Sequence, residues 1–271
     1  MSDIVLSSGV RSNLLQLQQT SDLIASTQTK LATGKRVNSA LDNANNFFTA
    51  QGLDNRASDL NNLLDSMSTA INTIQAANNG ISAITKLVQS AQSLASQAQQ
   101  TSDTTVRASL SSQFDSIRTQ IDKLAADSGF NGKNLLNGDN LTVTLNEAAT
   151  SSVTITGVTD TTASALAVNA AANSWASTAD ITAATTDLTA ALTTLRSQAQ
   201  TLGSSLSTVQ IRQDFTKAMI NTLQAGSDSL TLADSNQEGA NLLALQTRQQ
   251  LSTTALSLAS QADQNVLRLF G

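Results

Sequence analysis

Residues 240–270 read ANLLALQTRQQLSTTALSLASQADQNVLRLF, and the reading of this stretch decides the fold. Steps of three and four residues pass through Ala244, Arg248, Leu251, Ala255, Leu258, Ala262, Asn265 and Leu269, while a second walk collects Leu242, Leu245, Leu256, Ala259, Val266 and Phe270. Two apolar stripes on one helix call for partners on at least two sides. A single helix pair within the chain absorbs one stripe and leaves the other in water. At about 25 cal/mol per Å² of apolar area, the uncovered stripe drives contact with other chains. Self-association is therefore the first functional expectation. It is sharpened by Val266, Leu267, Leu269 and Phe270 at the end of the sequence, where an apolar helix frays unless something covers it.

The first arm supplies a matching seam. The walk through Val10, Leu14, Leu17, Ser21, Ile24, Gln28 and Leu31 is mostly apolar, as in a helix that packs lengthwise on another helix. Longer seams follow. From Leu53 the walk continues through Leu60, Leu64, Met67, Ile71, Ile74 and Ile81, then shifts register after Gly80 to Ile84, Val88, Ala91 and Leu94. A helix of about 50 residues rises ~75 Å, far beyond a normal globular helix. QQTSDTT at 99–105 interrupts it, and Leu110, Phe114, Ile117, Ile121 and Leu124 mark a shorter returning helix. A second long seam runs from Ile181 through Leu188, Leu195, Leu202 and Val209 to Leu223. Between the long seams, LTVTL and SVTITGV alternate at strand period and predict a short β-hairpin. The following TDTTASALAVNAAANSWAST has no clear period and is expected at the surface, with Trp175 either in a loop cluster or on a binding face.

The fold class that follows is mainly α: an elongated antiparallel helical bundle or coiled coil with paired terminal helices and a small β-hairpin region. Two joints divide it. TGKRVNSALDNANNF at 33–47 contains Gly34, Arg36 and Asn38, with Ser39 and Asp42 spaced as a capping box that opens the next helix. AGSDSLTLADSNQEGANLL at 225–243 contains Gly226 as a helix stop, and Ser235 with Glu238 as a second capping box. Residues 1–42 with 235–271 are expected to form an inner terminal-helix domain. Residues 43–234 form the rod-like bundle, including a β and loop region at about 128–178.

Composition narrows the function. Aromatic residues make up only 3% of the chain, and proline, cysteine, histidine and tyrosine are absent. Without His or Cys the usual general base, zinc sites and common nucleophile dyads are missing, so no catalytic, cofactor or metal site is expected. DSGFNGKNLLNGD at 127–139 resembles a calcium loop in composition but lacks the alternating ligand spacing and terminal Glu. TGKRVNS lacks the glycine spacing of a phosphate loop. A net charge of −5 argues against nucleic acid as a partner. No run approaches the ~18 apolar residues of a membrane span, so no membrane insertion is expected. MSDIVLSSGVRSN has neither the basic start nor the long apolar run of a cleaved secretory signal.

KLATGKRVNSALDNANNF resembles the N-terminal motif of bacterial flagellins, SGFNGKNLL is similar to the start of their strand region, and the stretch at 240–270 resembles their C-terminal arm. The motifs stand in family order over nearly the whole chain. The resemblance implies a short flagellin without large outer domains: a secreted, non-enzymatic subunit that polymerises into the extracellular flagellar filament. Its terminal arms would pair as coaxial helices lining an inner tube. Leu242, Leu245, Leu251, Leu258, Val266, Leu269 and Phe270 would then be covered by Val10, Leu14, Leu17, Ile24 and Leu31 of the same subunit and by neighbouring arms. It also implies as partners further copies of the chain, sister flagellins, a flagellar export apparatus and a chaperone for the C-terminal arm. Where many family members carry an arginine read by an innate immune receptor, this sequence has Ser90. Thr150, Ser151, Ser152, Thr161 and Thr162 are candidates for O-glycosylation, as in some flagellins. A hook-filament junction protein of the same superfamily and a coiled-coil signalling module are the alternatives.

Overall fold

The computed structural model describes residues 8–159 and 161–270, with the side chains of residue 263 and residues 266–270 outside the description. Among the described residues the protein is mainly α. Its helices are α1 (Ser8–Thr33), α2 (Ala44–Gln100), α3 (Thr104–Asp127), α4 (Thr178–Thr231) and α5 (Ser235–Phe270). Strands β1 (Leu141–Thr144) and β2 (Ser152–Ile155) pair antiparallel, with Leu141 opposite Ile155 and Thr144 opposite Ser152. The hairpin therefore forms where the alternation predicts it. The chain folds as two compact units, one from residues up to Asn55 together with Thr222 onward, the other Arg56–Asn221.

The second unit holds one hydrophobic core. α2 contributes Met67, Ile74, Ile81, Ile84 and Val88; α3 contributes Leu110, Phe114 and Ile121; α4 contributes Ile181, Leu188, Leu195, Leu202 and Val209. These are the residues of the seams, so the helical period alone selects the buried face. Gly80 does not end α2, although a mid-helix glycine costs about 1 kcal/mol relative to alanine. A Cβ there would collide with the Ser128 side chain and stand 2.7 Å from Leu136 Cδ1, so the glycine admits the segment after α3 against the helix.

QQTSDTT does interrupt the helix. Asp103 caps α3 by accepting the N–H groups of Thr105 at 2.8 Å and Val106 at 3.3 Å. The buried Arg107 closes the same turn. Its Nε donates to the carbonyls of Ala98 at 3.1 Å and Thr101 at 2.8 Å, and its Nη1 to Ala176 at 3.2 Å. Carbonyls at the end of α2, which have no partner within the helix, are thereby satisfied.

The segment after β2 departs from expectation. Residues 161–175 do not lie wholly on the surface: although residues such as Ser164, Asn169 and Asn173 are exposed, Ala163, Leu166, Val168 and Trp175 are buried in the core. Trp175 packs on Phe114 with ring centroids 5.0 Å apart and the rings tilted by 51°, which settles its place as core. Charged groups of α3 hold the irregular backbone. Asp122 accepts the N–H of Ala163 at 2.8 Å, Asp115 that of Ala171 at 3.2 Å, and Arg118 donates to the carbonyl of Val168 at 2.8 Å. Periodicity is blind to such a segment, because irregular turns of its own and side chains of a neighbouring helix, not a regular ladder, satisfy its peptide groups.

The exposed side of α4 carries Thr182, Thr186, Thr189 and Thr193. Each hydroxyl donates to the carbonyl four residues earlier, at 2.9, 3.0, 2.9 and 3.1 Å.

Gly226 does not stop a helix either. α4 runs through it to Thr231, and a Cβ at Gly226 would stand 3.3 Å from Leu53 Cδ1. Its small size serves packing.

Candidate assembly interface

α1 and α5 belong to the first unit and pack along each other. Lys35, just after α1, forms an antiparallel bridge with Leu232, just before α5. Leu23, Thr27 and Lys30 line one groove with Glu238, Asn241, Ala244, Leu245 and Arg248. The end of α1 thus meets the start of α5, and the pair is antiparallel.

Protection from solvent along α1 falls at Val10, Asn13, Leu17, Thr20, Ile24, Thr27 and Leu31. Along α5 it falls at Glu238, Leu242, Leu245, Gln249, Ser252, Leu256 and Ala259. Both series alternate steps of three and four, the signature of a helix seam. The seam is half polar. Thr20 and Thr27 are buried in it, and the Thr20 hydroxyl turns back to the carbonyl of Gln16 at 2.8 Å. Such a seam buries less apolar area than an all-leucine one, and the pair is correspondingly less stable by itself.

Outside the seam, Leu14 is 40% exposed, Leu15 58%, Leu23 51%, Leu243 67%, Leu251 67% and Leu258 62%. Two expectations are corrected here. Leu14 is not a seam residue, because Asn13 takes that place; a step of three or four from Val10 both reach Leu17 in seven residues, and the polar choice is the half-buried one. Leu251 and Leu258 are not covered by α1 of the same chain; the stripe they lie on stands exposed, and the walk through Leu242, Leu245, Leu256 and Ala259 is the one packed on α1. Val266, Leu269 and Phe270 lie outside the described side chains. Leu15, Leu23 and Leu243 were not singled out in the sequence. Their signal, for two of them, is the doublets Leu14–Leu15 and Leu242–Leu243, since adjacent helical residues point about 100° apart.

The joints are bonded to each other. Thr231 accepts the N–H groups of Arg36 at 2.7 Å and Val37 at 3.3 Å, and Ala233 donates to the carbonyl of Gly34 at 2.9 Å. The Arg36 guanidinium donates to the carbonyl of Ser229 at 3.2 Å. Gly34 adopts φ of +68°, a left-handed conformation suited to glycine after a helix. Asn38 donates its side-chain amide to the carbonyl of Lys35 at 2.9 Å.

Both capping boxes need correction. Asp42 accepts the N–H groups of Asn38 and Ser39, each at 2.9 Å, but this closes the turn ahead of α2; the cap of α2 is Asn43, whose side chain accepts the N–H of Asn46 at 3.0 Å. At the second joint Asp234, one residue before Ser235, accepts the N–H groups of Asn236 at 2.9 Å and Gln237 at 3.2 Å. Glu238 sits in the first turn of α5, where a negative charge meets the positive end of the helix dipole. In both joints the short polar side chain immediately before the helix, Asn43 or Asp234, captures the free amides. The backbone amides of Asn38 and Ser39 hold the Asp42 carboxyl below its ordinary pKa, with Lys30 adding to the effect.

Among the modification candidates, Thr150 and Ser152 are exposed and Ser151 and Thr162 half-buried. Thr161 is fully buried and its hydroxyl donates to the carbonyl of Leu136 at 2.7 Å, so it is closed to a glycosyl donor. Ser90 is exposed on α2. Among the described residues there is no cluster of metal-ligating side chains and no helix long and apolar enough to cross a membrane.

The paired terminal helices lie within the parts of the chain that known proteins share. The bacterial flagellin N-terminal helical region matches residues 8–141, and the bacterial flagellin C-terminal helical region matches residues 185–270. Flagellin FljO of Caulobacter vibrioides is 30% identical over 281 residues, which cover 100% of this chain and 99% of the relative. The chain belongs to the bacterial flagellin family. Flagellin FljK of the same bacterium is 30% identical over 174 residues, and there the match spans 60% of this chain and 59% of the relative's length. The crystal structure of Bacillus cereus flagellin aligns over 57% of this chain and 88% of its own, at 20% identity and a TM-score of 0.48. In this flagellin-family chain the two matched regions begin with the first residue of α1 and end with the last of α5.

Proposed function

We propose that this flagellin-family chain is the structural subunit of a helical filament, the extracellular flagellar filament used for swimming. It joins further copies of itself, and sister flagellins, through the α1–α5 pair. The observation that carries the reading is the free stripe of α5: Leu243, Leu251 and Leu258 are each more than 60% exposed while the opposite face is packed on α1. Leucines at spacings of eight and seven form one face, which arms of neighbouring copies cover.

In this reading residues 1–42 and 235–271 form the inner, tube-lining domain, and residues 43–234 the outer one. The role is structural and needs no catalytic group. Before assembly a flagellar export apparatus passes the chain and a chaperone covers the free face of α5. Thr150 and Ser152 are the hydroxyls best placed for O-glycosylation, and an intact mass equal to the sequence mass would dismiss it.

The test is electron microscopy of the full-length chain seeded with short filament fragments, beside a truncation ending at Gly239. Long uniform tubes from the full-length chain alone support the reading. Small fixed oligomers from both point to a junction protein.

A further inference from the structure

The sequence contains three Asn–Gly pairs, at Asn79–Gly80, Asn131–Gly132 and Asn137–Gly138. In such a pair the backbone nitrogen of the second residue can attack the asparagine Cγ, and glycine leaves that approach open because it has no Cβ. The fold gives the three pairs different surroundings. Asn79 and Gly80 lie within α2, where the helix ladder engages the glycine amide, and Gly80 is buried. Asn137 ends a 3-10 turn with its N–H on the carbonyl of Asn134 at 3.1 Å, and a Cβ at Gly138 would stand 2.9 Å from Thr159 Cγ2.

Asn131 and Gly132 are both exposed, with no atom within 4 Å of the Cβ position of Gly132. They form the two central residues of a tight turn, at φ +48° and +74°, the type I′ combination. Phe130 and Lys133 close that turn, exchanging N–H to carbonyl bonds of 2.8 and 3.0 Å. Those two bonds use neither the side-chain amide of Asn131 nor the N–H of Gly132. Opening those two hydrogen bonds lets the turn backbone rotate and bring the two reacting groups together.

We propose that Asn131 is a site of spontaneous deamidation in the folded protein. The Gly132 nitrogen, having lost its proton to hydroxide, forms a bond to Asn131 Cγ. The Cγ–NH2 bond breaks and ammonia leaves, giving a succinimide. Water then opens the ring at either carbonyl, leaving aspartate or isoaspartate, with no change of oxidation state. Either product adds one negative charge beside Lys133. In the isoaspartyl product the main chain runs through Cβ, so the two-residue turn acquires an extra backbone carbon and loses its register. Residue 131 thus marks the age of the chain.

The experiment is incubation of the full-length chain in mildly alkaline oxygen-18 water, folded and in denaturant, followed by peptide mapping at all three pairs and labelling with an isoaspartyl methyltransferase. In the folded chain residue 131 is expected to convert first and to take up the heavy oxygen. Residue 79 lags by about 100-fold or more, because amides in a packed helix react only on opening. In denaturant the three rates converge. Asn131→Gln is expected to remove the label at 131 and leave the other two rates unchanged. Conversion at 131 no faster than at 79, earlier conversion at 137, or an undiminished label in Asn131→Gln would overturn the assignment.

Discussion

Arg36 donates its backbone N–H to the carbonyl oxygen of Thr231 at 2.7 Å. Thr231 is the last residue of α4, and its carbonyl has no acceptor role within that helix. The segment that follows α1 therefore caps the helix that precedes α5, and residues nearly two hundred positions apart close one joint. Gly34 sets the path, since it supplies the carbonyl for Ala233 at a positive φ. Gly34→Ala is expected to cost roughly 1–2 kcal/mol at this joint. Faster hydrogen exchange at the amides of Arg36, Val37 and Ala233, with the core of the second unit unchanged, would bear this out; unchanged exchange would contradict it.

Acid acts on the neighbouring turn. The folded-state pKa of Asp42 is lowered from an ordinary 3.8 by the backbone amides of Asn38 and Ser39. A lowered pKa means that this contribution is fully present above 3.8 and is lost as pH falls through the folded value. The amide resonances of Asn38 and Ser39 are expected to titrate together with the Asp42 carboxyl, at a midpoint below 3.8. In Asp42→Asn that titration disappears. A midpoint at or above the ordinary value would show that the amides do not hold the carboxylate.

The free face of α5 predicts a separation of folding from assembly. Leu251→Ser and Leu258→Ser change residues 67% and 62% exposed, so each should alter subunit stability by less than about 0.5 kcal/mol. Polymerisation should nevertheless require a higher subunit concentration. Leu256→Ser, in the α1 seam, should instead loosen the helix pair, seen as lower helicity of the terminal arms. Sedimentation of polymer against subunit concentration separates the two cases, and an unchanged critical concentration in Leu251→Ser would remove that residue from the interface.

Gly80 can be tested through the only tryptophan. Trp175 is buried against Phe114, so its emission reports melting of the second unit. Gly80→Ala forces a methyl group against Ser128 and Leu136, and overpacking of this kind costs about 1–3 kcal/mol. The tryptophan transition should move to lower temperature despite the better helix propensity of alanine. A rise would mean that the neighbours yield freely.

What the sequence made legible is what repeats. The seams of α2, α3 and α4 and the alternation in β1 and β2 could be read because one side of each element must be dry. Gly226 misled as punctuation, since a glycine admitted for close packing carries the same letter as one that ends a helix. The caps were displaced to Asn43 and Asp234 because several short polar residues stand side by side, and only backbone geometry decides which one reaches the free amides. Residues 161–175 were illegible for a different reason: their own turns are irregular, and Asp115, Arg118 and Asp122 supply three of their backbone hydrogen bonds from elsewhere in the chain. At the interface, the two stripes of α5 were visible in advance, but which of them faces α1 depends on the polar seam positions Asn13, Thr20 and Thr27.

The threonines of α4 change how wet that helix is. With the hydroxyls of Thr182, Thr186, Thr189 and Thr193 already donating to their own backbone, these side chains offer water γ-methyl groups and oxygens that can accept but have no proton left to donate. A tally of residue types scores this flank as alcohol-rich and well hydrated. The flank accepts hydrogen bonds from water but has few left to donate, so dehydrating it on contact with another surface forfeits few donor bonds to the solvent.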